Sequence, residues 1–292
     1  MINDTVILCV TATLVILSAT PALAVGKSLG VGAEVAFVGD DNVSRGFGDN
    51  KIADVSLNTA INKTMDFPVT TYTRLLIRGS LGFDKFLRYD GLTRYFAGLR
   101  ADFQYRPSGS YYAPTFSVFA RTIRQEFESR LRDGYHHSFG ANALKPVTDR
   151  ITVFAAVTHN RGEGKSNVFD TRDFSGRLNV DYSPPWFEGL IYIGGDYRRG
   201  DIVSTGQPAL AFVDVAEAIV ADDVFERRTS YRFEANTIIT TLGYNLPLAS
   251  DRAIDFSWRW VQSTSREKPT FPSATKLRYI DNQLGVAYLF RF

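Results

Sequence analysis

The chain has 292 residues, 45% of them hydrophobic, and a formal charge of +2 from 33 Lys and Arg against 31 Asp and Glu. That composition excludes a disordered or collagen-like chain. The near-balanced charge, with no basic run and no zinc-finger spacing, gives no electrostatic case for nucleic acid as a partner.

Residues 6–17 form an apolar run too short to span a bilayer, and Thr20-Pro21-Ala22-Leu23-Ala24 follows as a small-x-small cleavage pattern. Together they predict a secretory signal peptide over 1–24 and a mature domain over 25–292. The first residues carry Asp4 and no Lys or Arg, which leaves open whether Met1 is the true start. The single cysteine, Cys9, falls inside this segment, so the mature part is expected to have no disulfide, thiol nucleophile or cysteine metal site. After residue 25 no stretch reaches the roughly 18 consecutive apolar residues of a spanning helix, so a membrane role must be β.

From Leu29 onward, period-two alternation recurs in segments of about ten residues, the per-segment pattern of a transmembrane barrel. Strands are predicted at 29–38, 53–62, 71–83, 93–105, 114–124, 135–145, 151–161, 173–183, 189–199, 231–244, 252–263 and 278–292. This is an all-β chain, a single antiparallel transmembrane β-barrel of about twelve strands in an up-and-down meander. Connections alternate in kind. Pro107-Ser108-Gly109, Pro146 to Asp149, Ser183-Pro184-Pro185 and Asn245 to Asp251 are short and turn-rich. Gly39 to Lys51, Gln125 to Gly134, Gly162 to Asp173, Asp201 to Ser230 and Ser263 to Thr275 are longer and more charged. The first set reads as periplasmic turns and the second as extracellular loops.

Within a strand the two faces differ. In the third, Thr73, Leu75, Ile77 and Leu81 oppose Arg74, Arg78 and Ser80. In the fourth, Tyr95, Leu99, Phe103 and Tyr105 oppose Arg94, Arg100, Asp102 and Arg106. The eighth sets Phe174, Leu178 and Tyr182 against Arg177 and Asp181. The eleventh sets Phe256, Trp258 and Trp260 against Asp255 and Arg259. A packed core would reject those charges, so the apolar face must look into lipid and the charged face into a wet lumen. The expected lumen set is Arg74, Arg78, Arg94, Arg100, Arg106, Arg121, Arg177, Arg198, Arg232, Arg259 and Arg291, against Glu34, Asp102, Asp181, Asp196, Glu234 and Asp255. Arginine prevails, which favours anionic solutes in an open pore. At about twelve strands the same side chains could instead close the interior as an ion-pair network, and both readings stand.

The final strand alternates Leu284, Val286, Tyr288 and Phe290 and ends on Phe292. It resembles the C-terminal insertion signal of bacterial outer-membrane β-barrel proteins. The resemblance implies an outer-membrane location, with Tyr288, Phe290 and Phe292 as the insertion signal read by the barrel assembly machinery. It also implies outer-membrane lipid and lipopolysaccharide as surroundings.

Four further patterns invite chemistry. Residues 209–225 place Phe212, Val215, Ala216, Ile219 and Val220 at helical spacing, which predicts a short amphipathic helix that either folds into the mouth or caps the rim. His136 and Ser138 resemble the His-x-Ser of outer-membrane phospholipases and lipid A deacylases, but Phe139 stands where that pattern has Asn, and strand parity turns the pair inward. Gly162 to Ser166 lacks the first glycine of a phosphate loop, His159 standing in its place. Asp40, Asp41, Asn42, Asp49 and Asn50 offer oxygens to a divalent cation, yet no EF-hand spacing is present and loop solvation explains them as well. No cofactor and no metal is expected. The leading expectation is a small porin-like passive channel with a net-basic lumen. The alternatives are a closed structural or adhesion barrel acting through its loops, and a lipid hydrolase using His136 and Ser138.

Overall fold

The computed structural model describes residues 27–270 and 275–292. The segment read as a signal peptide, with Cys9, lies outside the described residues. The strands are β1 (Lys27–Asp40), β2 (Asp54–Pro68), β3 (Thr73–Phe86), β4 (Arg94–Tyr105), β5 (Thr115–Phe127), β6 (Gly134–Pro146), β7 (Ile151–Gly164), β8 (Thr171–Tyr182) and β9 (Leu190–Gly206), followed by β10 (Ala218–Ala221), β11 (Thr229–Ala249), β12 (Arg252–Ser265) and β13 (Arg278–Arg291). Neighbours pair antiparallel, β9 pairs directly with β11, and β13 returns to β1, so twelve strands close an up-and-down barrel. The four-residue β10 stands outside that ring and pairs only with the start of β11.

Closure depends on the last residue. Phe292 N–H donates to Val31 O at 2.8 Å, and Val31 N–H donates to Phe292 O at 3.0 Å. The approach requires a bulge in β1 between Ser28 and Val31, where Gly30 adopts φ +93°. A Cβ at Gly30 would sit 2.6 Å from Phe292 O, so glycine is the residue this contact permits.

The outer face is apolar and unpartnered. Leu81, Leu99, Phe139 and Leu284 are each more than 60% exposed, as suits side chains that contact lipid. Aromatics gather toward the ends of this face. Phe83 lies 4.7 Å from Tyr95 and Tyr288 lies 4.9 Å from Phe290, ring centre to ring centre. Trp186 packs against Tyr182 and Phe187 at the short-turn end. Such belts mark the headgroup levels.

Several strands run past their predicted ends, β9 on the long-loop side to Gly206 and β11 chiefly on the short-turn side to Ala249. β9 has 17 residues and β11 has 21, where a tilted strand needs roughly 9–11 to cross hydrocarbon. Above the apolar band the outward positions turn polar, for example Arg199 and Asp201, while backbone pairing continues to Gly206. The alternation stops there because the solvent on the outer face changes, and the ladder does not.

Candidate functional site

The interior is built in three tiers. In the first, cross-strand registers place Arg78 opposite Arg100 and Arg100 opposite Arg121, so β3, β4 and β5 present three guanidinium side chains side by side. Directly opposed like charges destabilise a sheet unless something compensates them. Arg100 is compensated: Nε and Nη2 donate to Asp102 at 2.7 and 2.6 Å, and its guanidinium lies 4.2 Å from the Phe119 ring centre. Arg78 Nε donates to the neutral Thr64 hydroxyl at 3.1 Å. The Arg121 side chain makes no hydrogen bond or ion pair with any described residue. The row therefore holds three cations and one carboxylate. On either side of it along these strands, charge is matched: Arg94 pairs Asp84 at 2.7 Å and Arg74 lies 3.5 Å from Asp66.

The second tier is the wall of β8, β9, β12 and β13. Arg177 pairs Asp196 at 2.9 Å, and Arg259 Nη1 donates to Gln283 Oε1 at 3.1 Å. Arg198 Nε is buried without a partner among the described residues. Asp255 accepts from Tyr192 Oη at 2.8 Å. Asp181, Glu34 and Arg291 sit at inward-facing register positions with no ion pair among the described residues.

The third tier is the mouth, where the segment 207–228 crosses the barrel. It leaves β9 and enters β11, yet its far end packs on the β3–β4 connection, six strand positions away on the opposite side of the twelve-strand ring. Phe225 packs against Tyr89, ring centres 4.9 Å apart and planes tilted by 51°, and a Cβ at Gly91 would sit 2.6 Å from Val224 Cγ2. Only glycine allows that approach without displacing Val224. Asp222 and Asp223 clasp the β5–β6 connection. Arg132 Nη2 donates to Asp222 at 2.6 Å and Nη1 to Asp223 at 2.8 Å, with the Arg132 and Asp222 side chains 8% and 0% exposed. Asp222 also accepts from Ser230 Oγ at 2.5 Å and from the backbone N–H groups of Val224 and Phe225 at 2.8 and 3.0 Å. Burial alone would push this carboxyl up. Arg132, Ser230 and the two N–H groups outweigh it and hold the pKa below its ordinary 3.8.

The near end is seated on an apolar cluster inside the rim. Phe47 from the β1–β2 loop and Phe212 and Val215 from α1 (Leu210–Val215) pack with Tyr231, Phe233, Val261 and Tyr279. Phe47 lies 5.4 Å from Phe212, and Phe212 lies 5.1 Å from Tyr231. Asn42, fully buried, knots the β1–β2 loop inward. Its Nδ2 donates to Gly46 O and Ile280 O at 2.9 and 3.1 Å, and its Oδ1 accepts from Gly46 N–H at 2.8 Å. Arg228 Nη1 donates to Asn50 O at 2.6 Å, tying the two segments together.

Three expectations need correction. Arg232 and Glu234 share parity with the lipid-facing Ile238 and Leu242, so they do not line the lumen; Tyr231 and Phe233 point inward instead. Arg232 Nη1 is held by Asn167 O and Asp170 O at 2.6 and 2.7 Å, and Glu234 pairs Arg266. Arg106 lies beyond the end of β4, where Nη2 donates to Ser110 O and Tyr111 O in the turn, so it belongs to the rim. The helix expected over 209–225 is only Leu210–Val215. The open edge of β11 beyond the last β12 partner, Ala235 to Ser265, captures residues 218–221 as β10. Arg74, Arg78, Arg94, Arg100, Arg121, Arg177, Arg198 and Arg259, with Asp102, Asp181 and Asp255, stand at register positions opposite in parity to the exposed apolar residues of their strands. Arg132, the residue that holds the crossing segment, has no strand periodicity to single it out; its partner lies 90 residues away.

His136 and Ser138 face inward. Ser138 Oγ donates to Asn160 Oδ1 at 2.8 Å, while His136 Nε2 stands 3.5 Å away. The hydroxyl proton is committed to the amide, and the imidazole is at the limit of hydrogen-bond reach.

No protein-family model and no curated protein matches the chain. Among solved structures, an outer membrane channel from Pseudomonas putida F1 aligns with a TM-score of 0.54 at 10% identity, covering 93% of this chain and 97% of that one. A KdgM porin in complex with disordered oligogalacturonate aligns at 0.41 and 8% identity, over 89% and 99% of the two chains. OmpT of Vibrio cholerae aligns at 0.40 and 9% identity, over 93% and 100%. At these identities the likeness to the Pseudomonas channel is one of fold.

Proposed function

We propose that this chain is an outer-membrane β-barrel that passes small anions by diffusion, through a basic lumen whose mouth is narrowed by residues 207–228. The observation that carries the reading is the Arg78, Arg100, Arg121 row, three cations against one carboxylate. A closed structural network would match these charges, as the same strands do at Arg94 and Arg74. Leaving Arg121 without an acceptor makes sense where mobile anions supply the countercharge. Shape supports the same reading, since the Pseudomonas protein that shares the fold is itself an outer membrane channel.

Transport in this account needs no chemical step. A small anion lingers by charge at the arginine row and leaves because no closed hydrogen-bond cage holds it. The test is Arg78→Ser with Arg121→Ser in one chain, reconstituted in planar bilayers. The anion-to-cation permeability ratio should fall several-fold, and an unchanged ratio in a conducting variant rejects the row as the selective element.

The lipid partner follows from height. From Tyr182 to Arg172 along the outward face of β8 is about 25 Å at a rise of roughly 3.3 Å and a tilt of about 40°. Arg172 and its register partner on the adjacent strand β7, Arg161, therefore flank the outer hydrocarbon boundary, with Arg199 of β9 nearby. Neither Arg172 nor Arg199 has a side-chain partner among the described residues. Both suit the phosphates of outer-leaflet lipopolysaccharide. Tyr288, Phe290 and Phe292 on the last strand suit recognition by the barrel assembly machinery.

A further inference from the structure

The seam where β13 closes on β1 carries a cluster that anion passage does not use. Asp40 ends β1, Asp41 follows it, and Asp281 lies on β13; one carboxylate oxygen from each falls within 4.8 Å of the other two. Asp281 is 4% exposed, and its Oδ1 is buried with no hydrogen-bond partner. Its other oxygen shares the Gln283 amide with Asp40, Nε2 donating at 2.9 Å to Asp281 and 3.0 Å to Asp40. Asp41 accepts from Asn282 N–H and Nδ2 at 2.7 and 2.9 Å. Asp40 Oδ1 accepts from Asn42 N–H at 2.7 Å. The nearest cation to pair is Lys51, 3.8 Å from Asp41 and well exposed. Arg45 faces Asp281 electrostatically and forms no ion pair with it among the described residues.

Three carboxylates held in place by amides, one of them buried with a bare oxygen, need a positive charge that one exposed lysine does not supply. We propose that Asp40, Asp41 and Asp281 bind one calcium ion at the extracellular mouth. The ligand set is all oxygen and anionic, which suits a hard cation over zinc or copper. Mg²⁺ demands near-ideal octahedral geometry and sheds its waters reluctantly, so carboxylates fixed at this seam by amide hydrogen bonds suit the more tolerant coordination of Ca²⁺. The ion joins the two strands that close the barrel and anchors the base of the β1–β2 loop, beside the Asn42 knot that delivers Phe47 to the rim cluster. The inference stands apart from the channel reading, since it concerns the seam and not the lumen charge.

The test is calorimetric titration of CaCl₂ into the full chain, metal-stripped and folded in detergent, with MgCl₂ in parallel. One Ca²⁺ per chain is expected, with a Kd in the range of about 10⁻⁵–10⁻³ M, and Mg²⁺ at least tenfold weaker. Asp281→Asn keeps the shape and should weaken Ca²⁺ at least tenfold; Asp41→Asn serves in its place if that variant fails to migrate as a closed barrel. Glu217→Gln, in the exposed acidic group Asp201, Glu217 and Glu234, should leave binding unchanged. No heat up to about 10 mM Ca²⁺, equal affinity for Mg²⁺, or binding untouched by Asp281→Asn would each overturn the proposal, the last two pointing to surface binding or to a protonated Asp281.

Discussion

Replacing Asp222 by alanine removes the carboxylate that fastens the far end of the crossing segment. The change takes away the 2.6 Å pair with Arg132, the Ser230 hydroxyl bond and two backbone N–H bonds, and leaves those donors buried. Both charged side chains are nearly out of solvent, so screening offers no large discount. Breaking a buried pair by removing one partner costs about 3–5 kcal/mol. Asp223 stays 2.8 Å from Arg132 Nη1 and keeps part of the charge balance, which places the loss near the lower figure. At 1.4 kcal/mol per decade, that is roughly a hundredfold shift toward the released segment. The near end remains seated by Phe47, Phe212 and Tyr231, so the barrel should stay closed to heat in cold detergent while the mouth widens. Single-channel recording should show a larger conductance or a larger fraction of time in the high-conductance state. A variant that still migrates as a folded barrel and conducts like the parent would refute the clasp.

Three other outcomes follow from the same contacts. Because the folded-state pKa of Asp222 is depressed, its contribution is complete above the ordinary 3.8 and is lost as pH falls through the lowered value. Conductance should therefore hold steady from neutrality to about pH 4 and rise only below it; a rise centred near pH 6 would implicate another group. Gly91→Leu drives a side chain into Val224 and should release the segment from the opposite side, matching the Asp222→Ala phenotype in bilayer recordings; parental conductance would count against the close approach. Phe292→Ser keeps the backbone bonds to Val31 but removes an exposed ring that packs on Phe290, so outer-membrane yield of heat-modifiable protein should drop while any folded fraction conducts normally.

The barrel was legible because lipid on one side and charge on the other impose a period of two that each strand must obey. Leu99 and Phe103 against Arg100 and Asp102 in β4 is enough to orient that strand. The same logic fails above the hydrocarbon. There Arg232 and Glu234 carry charge at outward parity, held by Asn167 O, Asp170 O and Arg266, and the inward positions go to Tyr231 and Phe233, which reverses the meaning of charge as a lumen marker. Ile238 and Leu242 further down β11 held the correct parity. The crossing segment was less legible. Its apolar spacing fits a helix, but the free edge of β11 offers residues 218–221 a ladder instead, and the clasp depends on Arg132 from another loop. The arginine row was present as parity, yet its side-by-side register, which isolates Arg121, came only from the strand pairing.

Reversal potential in a KCl gradient tests the central claim most directly, measured on the parent chain and on a chain lacking 209–225 to exclude a mouth effect. The account predicts anion selectivity in both, with the larger conductance in the shortened chain. Cation selectivity, or the absence of any conductance from both folded barrels, would contradict it.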